Sequence, residues 1–377
     1  MDQVSYPAIT VNLDAIENNA RVLCGICHQH GIQVAGVIKF SDCDLRIAKA
    51  YSDGGCAQIA VSRAIHTKAI KEAFPGIQTF LTRTPSLDEL ELTARYCDIC
   101  LVSDGLTLQL LDKTAAQFGT TPNVILMLDS GDLREGAADP DELCQLAMLA
   151  EKELPHLHLL GVGSGFACLN GVLPTPENLT ALVNAAELVE RKIGRRLEII
   201  SGGSSINLTL LTDGNKMPPR INHLRLGGTI ASPGNIRRNR GVSFPGLQED
   251  TMRLTARLIE VRVKDSAPKT TSARNWAGDT VVVEDKGKRC RAIAALGSQD
   301  IGDAAGLRPL DPGVQVVGCS SDHTILDVSD SQKAWQTGDL IHFSMQYMPM
   351  LRGFSGKHIA IRYTNDWELA ADQETSL

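Results

Sequence analysis

Aromatic residues are scarce in this sequence, where Phe, Trp and Tyr together supply 4% of 377 residues. A core built by this chain must therefore be mostly aliphatic. Positive charge is not in excess either: 37 Lys and Arg stand against 44 Asp and Glu, for a net charge of −7. That balance argues against nucleic acid or an anionic membrane as the main partner. No apolar run approaches the roughly 18–20 residues that span a bilayer. The opening stretch MDQVSYPAITVNLDAI lacks the basic start and apolar stretch of a secretory signal, so a cytoplasmic protein is expected. What is present, 43% hydrophobic and 21% charged residues, is ordinary for a globular protein with a real core.

Ten cysteines are the oddity. Spread along a chain of this length without a secretory signal, they do not read as a disulfide scaffold. Cys24 and Cys27, and Cys97 and Cys100, are closely spaced pairs. A zinc ribbon wants two such pairs separated by roughly 15–20 residues, and here about seventy intervene. The reading is reduced, mostly structural thiols that behave as small hydrophobes, and no metal site is expected.

From residue 33 onward, short apolar runs alternate with longer amphipathic segments. The runs are 33–39, 58–62, 78–82, 99–103, 123–129, 157–164, 197–203 and 223–229. They are short for helices and too continuously apolar for half-exposed strands, as suits parallel strands covered on both sides. Between them lie helical patterns, one opened by Asp139-Pro140 and another by Thr175-Pro176 and closed near Gly194. Eight strands each followed by a helix predict a (β/α)8 TIM-like barrel over 13–238. Past residue 240 the runs 253–265, 279–285, 291–297, 314–320, 324–330 and 338–347 are separated by Gly, Pro, Asp and Ser. They predict a mostly β C-terminal domain over 239–377, joined by residues 1–12.

In such barrels the chemistry sits at the carboxyl ends of the strands. Lys39 ends the first run, and a desolvated amine there is a nucleophile suited to a Schiff base. Ser201-Gly202-Gly203-Ser204-Ser205 ends the seventh run and leads into a helix expected around 206–211. Arg225-Leu226-Gly227-Gly228-Thr229 ends the eighth. Glycines let backbone N–H groups face an anion, hydroxyls add donors, and the loops after strands seven and eight are where these barrels bind phosphate. A lysine over the mouth and a phosphate cradle on the opposite wall describe pyridoxal 5′-phosphate. Arg225, whose guanidinium does not give up its proton, would leave the cofactor's ring nitrogen unprotonated. That weakens the ring as an electron sink and favours simple removal and return of the Cα proton.

At this point the chain resembles the fold type III pyridoxal phosphate enzymes, the alanine racemase superfamily, and most of all its ornithine racemase branch. The resemblance rests on Ile9–Asp14, Val37-Ile38-Lys39, Asp129–Gly136, Ser201–Ser205, Leu224–Gly227, Glu284–Gly287, Gly318–His323 and Gly353-Phe354, in order along nearly the whole chain. It implies a head-to-tail homodimer in which each β domain closes the partner's active site, acting on a small-molecule amino acid. It implies that Lys39 carries the cofactor and is one of two racemising bases. Gly203, Ser204 or Ser205, Gly227 and Gly228 would hold the phosphate, with Tyr347 as a further contact. Arg225 would face the ring nitrogen and Arg134 the phenolic oxygen or the substrate carboxylate.

The departures concern the second base. Alanine racemases have a tyrosine four residues after the lysine, where Cys43 stands here. Their catalytic tyrosine lies in a Gly-Tyr-x-Asp stretch, matched here by Gly297-Ser298-Gln299-Asp300. An acid on the face opposite Lys39 is still required, and Cys319, Asp322 and His323 are the candidates. The missing tyrosines also open the pocket, so a basic substrate such as ornithine or lysine, or a broad range, is expected. Asp300, Asp303 or Asp322 would then meet the distal amine. Two other readings compete: a lyase of the aldolase or dehydratase type, and a non-catalytic cofactor-binding paralogue.

Overall fold

The structure is a computed structural model that describes residues 5–367 apart from 213, 215, 271–273, 275–277, 279, 281 and 282. It divides into two compact units: Asp14–Lys39 with Cys43–Glu249, and the described part of Met1–Leu13 with Phe40–Asp42 and Asp250–Leu377. The first unit is a closed parallel barrel. Its strands are β2 (Gln33–Val37), β3 (Gln58–Val61), β4 (Gln78–Leu81), β5 (Ile99–Val102), β6 (Asn123–Met127), β7 (His158–Gly163), β8 (Ile199–Ser204) and β9 (His223–Leu226), after β1 (Ala8–Asn12) of the other unit. Closure is the pairing of β2 with β9, Gln33 opposite His223 and Ala35 opposite Arg225.

Each apolar run thus became a barrel strand, because both faces are covered. Ala35, Ala60, Phe80, Leu101, Ile125 and Met127 fill the interior and are fully enclosed. Burying such aliphatic and aromatic side chains is worth about 1.5–3 kcal/mol each. The covering helices start where their caps are. Asp139 accepts from the Glu142 N–H at 2.8 Å with Pro140 as first helical residue, opening Pro140–Glu153. Thr175 caps Pro176–Ile193, which Gly194 closes in the left-handed region.

The second unit is an eight-stranded sheet that adds β10 (Met252–Asp265), β11 (Lys288–Ala294), β12 (Leu307–Pro309), β13 (Gln315–Cys319), β14 (Thr324–Asp327), β15 (Leu340–Met345) and β16 (Ala360–Thr364). The order is β12-β15-β10-β11-β14-β13, and β1 pairs antiparallel with β10 and parallel with β16. The run expected as a strand over 279–285 falls partly outside the described residues.

Residues 239–249, which composition placed with the β domain, belong to the barrel unit. The cause is local bonding. Arg237 grips Glu249 through Nε and Nη2, and Asn19 exchanges two hydrogen bonds with the Gln248 backbone at 2.7 and 2.8 Å. No helix among the described residues is long and apolar enough to cross a membrane.

Candidate active site

Strand periodicity aims Lys39. Ala35 faces the barrel interior with Val37 packed against the same cluster, and the next residue in that phase is Lys39, two residues past the strand end, where it opens the 3-10 turn Lys39–Ser41. Its ammonium is held below the ordinary lysine range, first by partial desolvation and then by Arg134 and Arg225, against opposing contributions from Cys168 and Glu135. The free amine is thereby made more available near neutral pH.

Arg225, in the same phase of β9 as His223, is buried. Its Nη1 donates to Ser201 Oγ at 2.5 Å and its Nη2 to the Ser164 carbonyl at 2.7 Å. Ser201 Oγ lies 2.9 Å from His223 Nδ1. A guanidinium only donates, so Ser201 Oγ accepts from Arg225, and one proton lies between that oxygen and His223 Nδ1, leaving Nε2 as the ring's other nitrogen. That Nε2 is enclosed and has no hydrogen-bond partner. Burial, then the charge of Arg225, lowers the His223 pKa to about 3, so the ring is neutral. Burial also lowers Arg225 to about 10, with Glu135 and Cys168 opposing. Arg225 therefore keeps its proton at neutral pH.

The glycine loops form a backbone cradle. Gly203 sits at φ 128°, and a Cβ there would lie 2.5 Å from Asn207 Oδ1. Asn207 in turn accepts from the Ser204 N–H at 3.1 Å and donates to the Gly202 carbonyl at 2.8 Å. A Cβ on Gly227 would stand 2.8 Å from the Val37 carbonyl. The Gly227 N–H donates to Ser205 Oγ at 3.3 Å, and Tyr51 donates to the Gly227 carbonyl at 3.0 Å. The two loops are thus tied to each other and to the floor beneath them. In place of the helix expected at 206–211 there is a 3-10 turn, Ser205–Leu208, followed by the short helix Thr209–Thr212. Gly228 opens the equally short Gly228–Ala231. A donor set of backbone N–H groups, serine hydroxyls, a buried arginine and an amine of lowered pKa fits an anionic cofactor that carries an aldehyde.

The wall beside Lys39 is one piece. Asp132, 2% exposed, accepts from the backbone N–H groups of Cys168, Leu169, Asn170 and Val172 at 2.9–3.4 Å. Although burial alone would raise its pKa, those four donors hold it below the ordinary carboxylate range. Ser164 Oγ donates to Ser130 Oγ at 2.7 Å across the same two loops. Arg134 stands on this wall with Nη2 2.9 Å from Glu135 Oε1.

The remaining predicted residues lie in the β unit. Cys319 ends β13, and Asp322 and His323 form the turn into β14, closed by the Ser320 N–H donating to the His323 carbonyl at 2.8 Å. Gln299 and Ser321 both donate to Asp322. The 297–300 segment and this turn pack backbone to backbone, since a Cβ on Gly297 would fall 2.0 Å from the Ser321 carbonyl. Tyr347 opens the helix Tyr347–Ser355. Cys43, the residue at the tyrosine position, is enclosed and donates to the His66 carbonyl at 3.5 Å. None of the ten cysteines forms a disulfide. Glu135, Cys168, Asp132 and the Ser201–His223 link were not singled out from sequence, and the signal that could have found Asp132 and Glu135 is their place in the Asp129–Gly136 stretch.

A closed barrel with a lysine over its mouth, a buried arginine and two linked glycine loops, together with a separate β unit, defines the class of cofactor-binding barrel enzymes with a β domain. The alanine racemase, N-terminal domain family matches residues 11–231, and this chain belongs to that family. It is 33% identical to a lysine racemase of Thermotoga maritima over 94% of this chain and 97% of that protein. It is 32% identical to an ornithine racemase of Acetoanaerobium sticklandii over 94% and 98%. Among solved structures, the alanine racemase of Streptomyces lavendulae superposes with a TM-score of 0.70 at 18% identity, over 98% of this chain and 99% of that one. The D-threonine aldolase of Filomicrobium marinum gives 0.69 at 18% identity, over 92% and 89%. These last two likenesses concern the fold alone.

Proposed function

We propose that this protein is a pyridoxal phosphate-dependent racemase of free basic amino acids, lysine and ornithine foremost, acting as a head-to-tail homodimer in the cytoplasm. The observation that carries the reading is the likeness to lysine and ornithine racemases across 94% of the chain, and the arrangement of Lys39 and Arg225 supports it. Ten cysteines without a disulfide agree with a reducing compartment.

Pyridoxal 5′-phosphate, when bound, supplies an electron-withdrawing ring that acidifies the Cα–H of the amino acid. Lys39 would hold it through its amine. Gly203, Ser204, Ser205, Gly227 and Gly228 would hold its phosphate, with Tyr347 a further ligand, Arg225 its ring nitrogen, and Arg134 its phenolic oxygen or the substrate carboxylate. Arg225 is tied at two nitrogens and keeps its proton at neutral pH, so it would hold a ring nitrogen as a donor that gives up no proton. A ring held in that way would favour proton exchange at Cα. Lys39 moves the proton on one face at Nζ. The opposite face is served by the partner's turn of Cys319, Asp322 and His323. Asp322 already accepts from Gln299 and Ser321, so it orients, while the ring of His323 makes a single long contact to Ser320 Oγ at 3.5 Å and exchanges the proton.

The test is incubation of the cofactor-loaded protein with L-lysine, L-ornithine and L-alanine in D2O, following Cα deuteration and chirality. The D-enantiomer with deuterium at Cα is the expected product, and Lys39→Ala should abolish both it and the absorption band of the bound cofactor. Release of an aldehyde or ammonia instead of the D-amino acid would make the protein a lyase. Bound cofactor with no turnover of any amino acid would leave a binding protein.

A further inference from the structure

A diamino acid brings a second positive charge to a mouth that already holds Lys39, Arg134 and Arg225. A carboxylate with capacity to spare is needed to receive it. The acids on the loops after the barrel strands can be compared by what they already accept. Asp44 caps its helix through the Arg46 and Ile47 N–H groups. Glu89 takes Arg83, the Ser86 N–H and the Ala64 N–H. Asp104 takes the N–H and hydroxyl of Thr107. Asp129 takes the Gly131 and Leu133 N–H groups, and Asp132 takes four.

Glu135 differs from all of these. Its side chain is 18% exposed, and its Oε1 is enclosed yet accepts no hydrogen bond, because Arg134 Nη2 approaches it at 2.9 Å off the hydrogen-bonding line. Glu135 lies on the loop after β6, at the same carboxyl end of the barrel as Lys39, and its charge opposes the lowering of both Lys39 and Arg225. The acids of the β unit that sequence suggested for this task are engaged within their own turns. Asp300 accepts from the Gly297 N–H, Asp303 from the Ala305 N–H, and Asp322 from Gln299 and Ser321.

We propose that Glu135 is the specificity-determining residue for basic substrates, its carboxylate receiving the distal ammonium of a diamino acid. The inference rests on the racemase reading above. Glu135 takes no part in proton transfer at Cα; it selects which side chain is seated there.

The experiment compares L-lysine with L-norleucine, which has an alkyl chain and no ammonium, on the cofactor-loaded wild type and on Glu135→Gln and Glu135→Asp. Removing one partner of a half-buried charge pair should lower the kcat/KM for lysine relative to norleucine by about thirtyfold in Glu135→Gln, mainly through the KM for lysine, while the altered field at Lys39 and Arg134 moves both substrates together. Glu135→Asp keeps the charge on a shorter arm and should recover part of the lysine activity while folding as the wild type does by circular dichroism. Equal losses for both substrates, or no change for either, would overturn the inference while leaving the racemase reading intact. A wild type that racemises neither lysine nor ornithine would remove the racemase reading itself, and this inference with it.

Discussion

Replacing His223 by Gln tests the barrel interior without substrate or cofactor. Gln keeps an amide able to hydrogen-bond Ser201 but cannot take up a proton. In the wild type, burial and Arg225 lower the His223 pKa from 6.5 to about 3. Above pH 6.5 the ring is neutral in folded and unfolded chains alike, and it contributes no pH dependence. Below that value the unfolded chain binds a proton that the folded one refuses, so stability falls with pH until the folded value near 3 is reached. At about pH 5 the penalty is roughly 1.5 units at 1.36 kcal/mol each, or about 2 kcal/mol, approaching about 5 kcal/mol at the lower limit. Urea unfolding of both proteins at about pH 7 and about pH 5 measures it. Every other titrating group is common to the pair, so the wild type's stability minus that of His223→Gln should drop by about 2 kcal/mol between the two conditions. A difference that does not move with pH would refute the neutral, proton-refusing His223.

Asp132→Ala removes the acceptor of four backbone N–H groups. Even with water taking over some of them, it should cost about 3 kcal/mol and raise amide exchange across 168–172, while unchanged exchange there would count against the staple. Asp132 has a folded pKa below its unfolded one, so its contribution is complete above the unfolded value and disappears as pH falls through the folded one. Phe80→Ala, at the enclosed barrel centre, should destabilise by about 3–5 kcal/mol in urea melts. Of the ten thiols only Cys168 is exposed, and burial raises Cys27 and Cys97 to about 12. Mass spectrometry after brief alkylation should therefore find Cys168 labelled first, and Cys24, Cys27, Cys97 and Cys100 only after unfolding.

The barrel was legible because each of its strands is covered on both sides and leaves an uninterrupted apolar run, and because period two carries Lys39 to the mouth. β12 and β16 were not. Leu307–Pro309 is three residues long, and every residue of Ala360–Thr364 is half-buried, so neither leaves a pattern. The glycine loops could be located from their order in the chain. The bonds that set their electrostatics could not, since Ser201 reaches His223 across 22 positions and Arg225 reaches Ser164 across 61. Nor does a sequence disclose which carboxylates are occupied: Asp322 and Glu135 look alike until their partners are counted.

The four bonds that the Asp132 carboxylate accepts all come from backbone N–H groups, and none of these four depends on which side chains the receiving loop carries. Cys168 and Leu169 can therefore be exchanged for other residues while the path of the loop is kept, whereas Asn170, whose Nδ2 donates to the Asp132 carbonyl at 2.7 Å, is part of the tie. This stretch of wall is the natural place to diversify when a library is built to widen or narrow the range of amino acids admitted. Asp132 itself is the position such a library should leave alone.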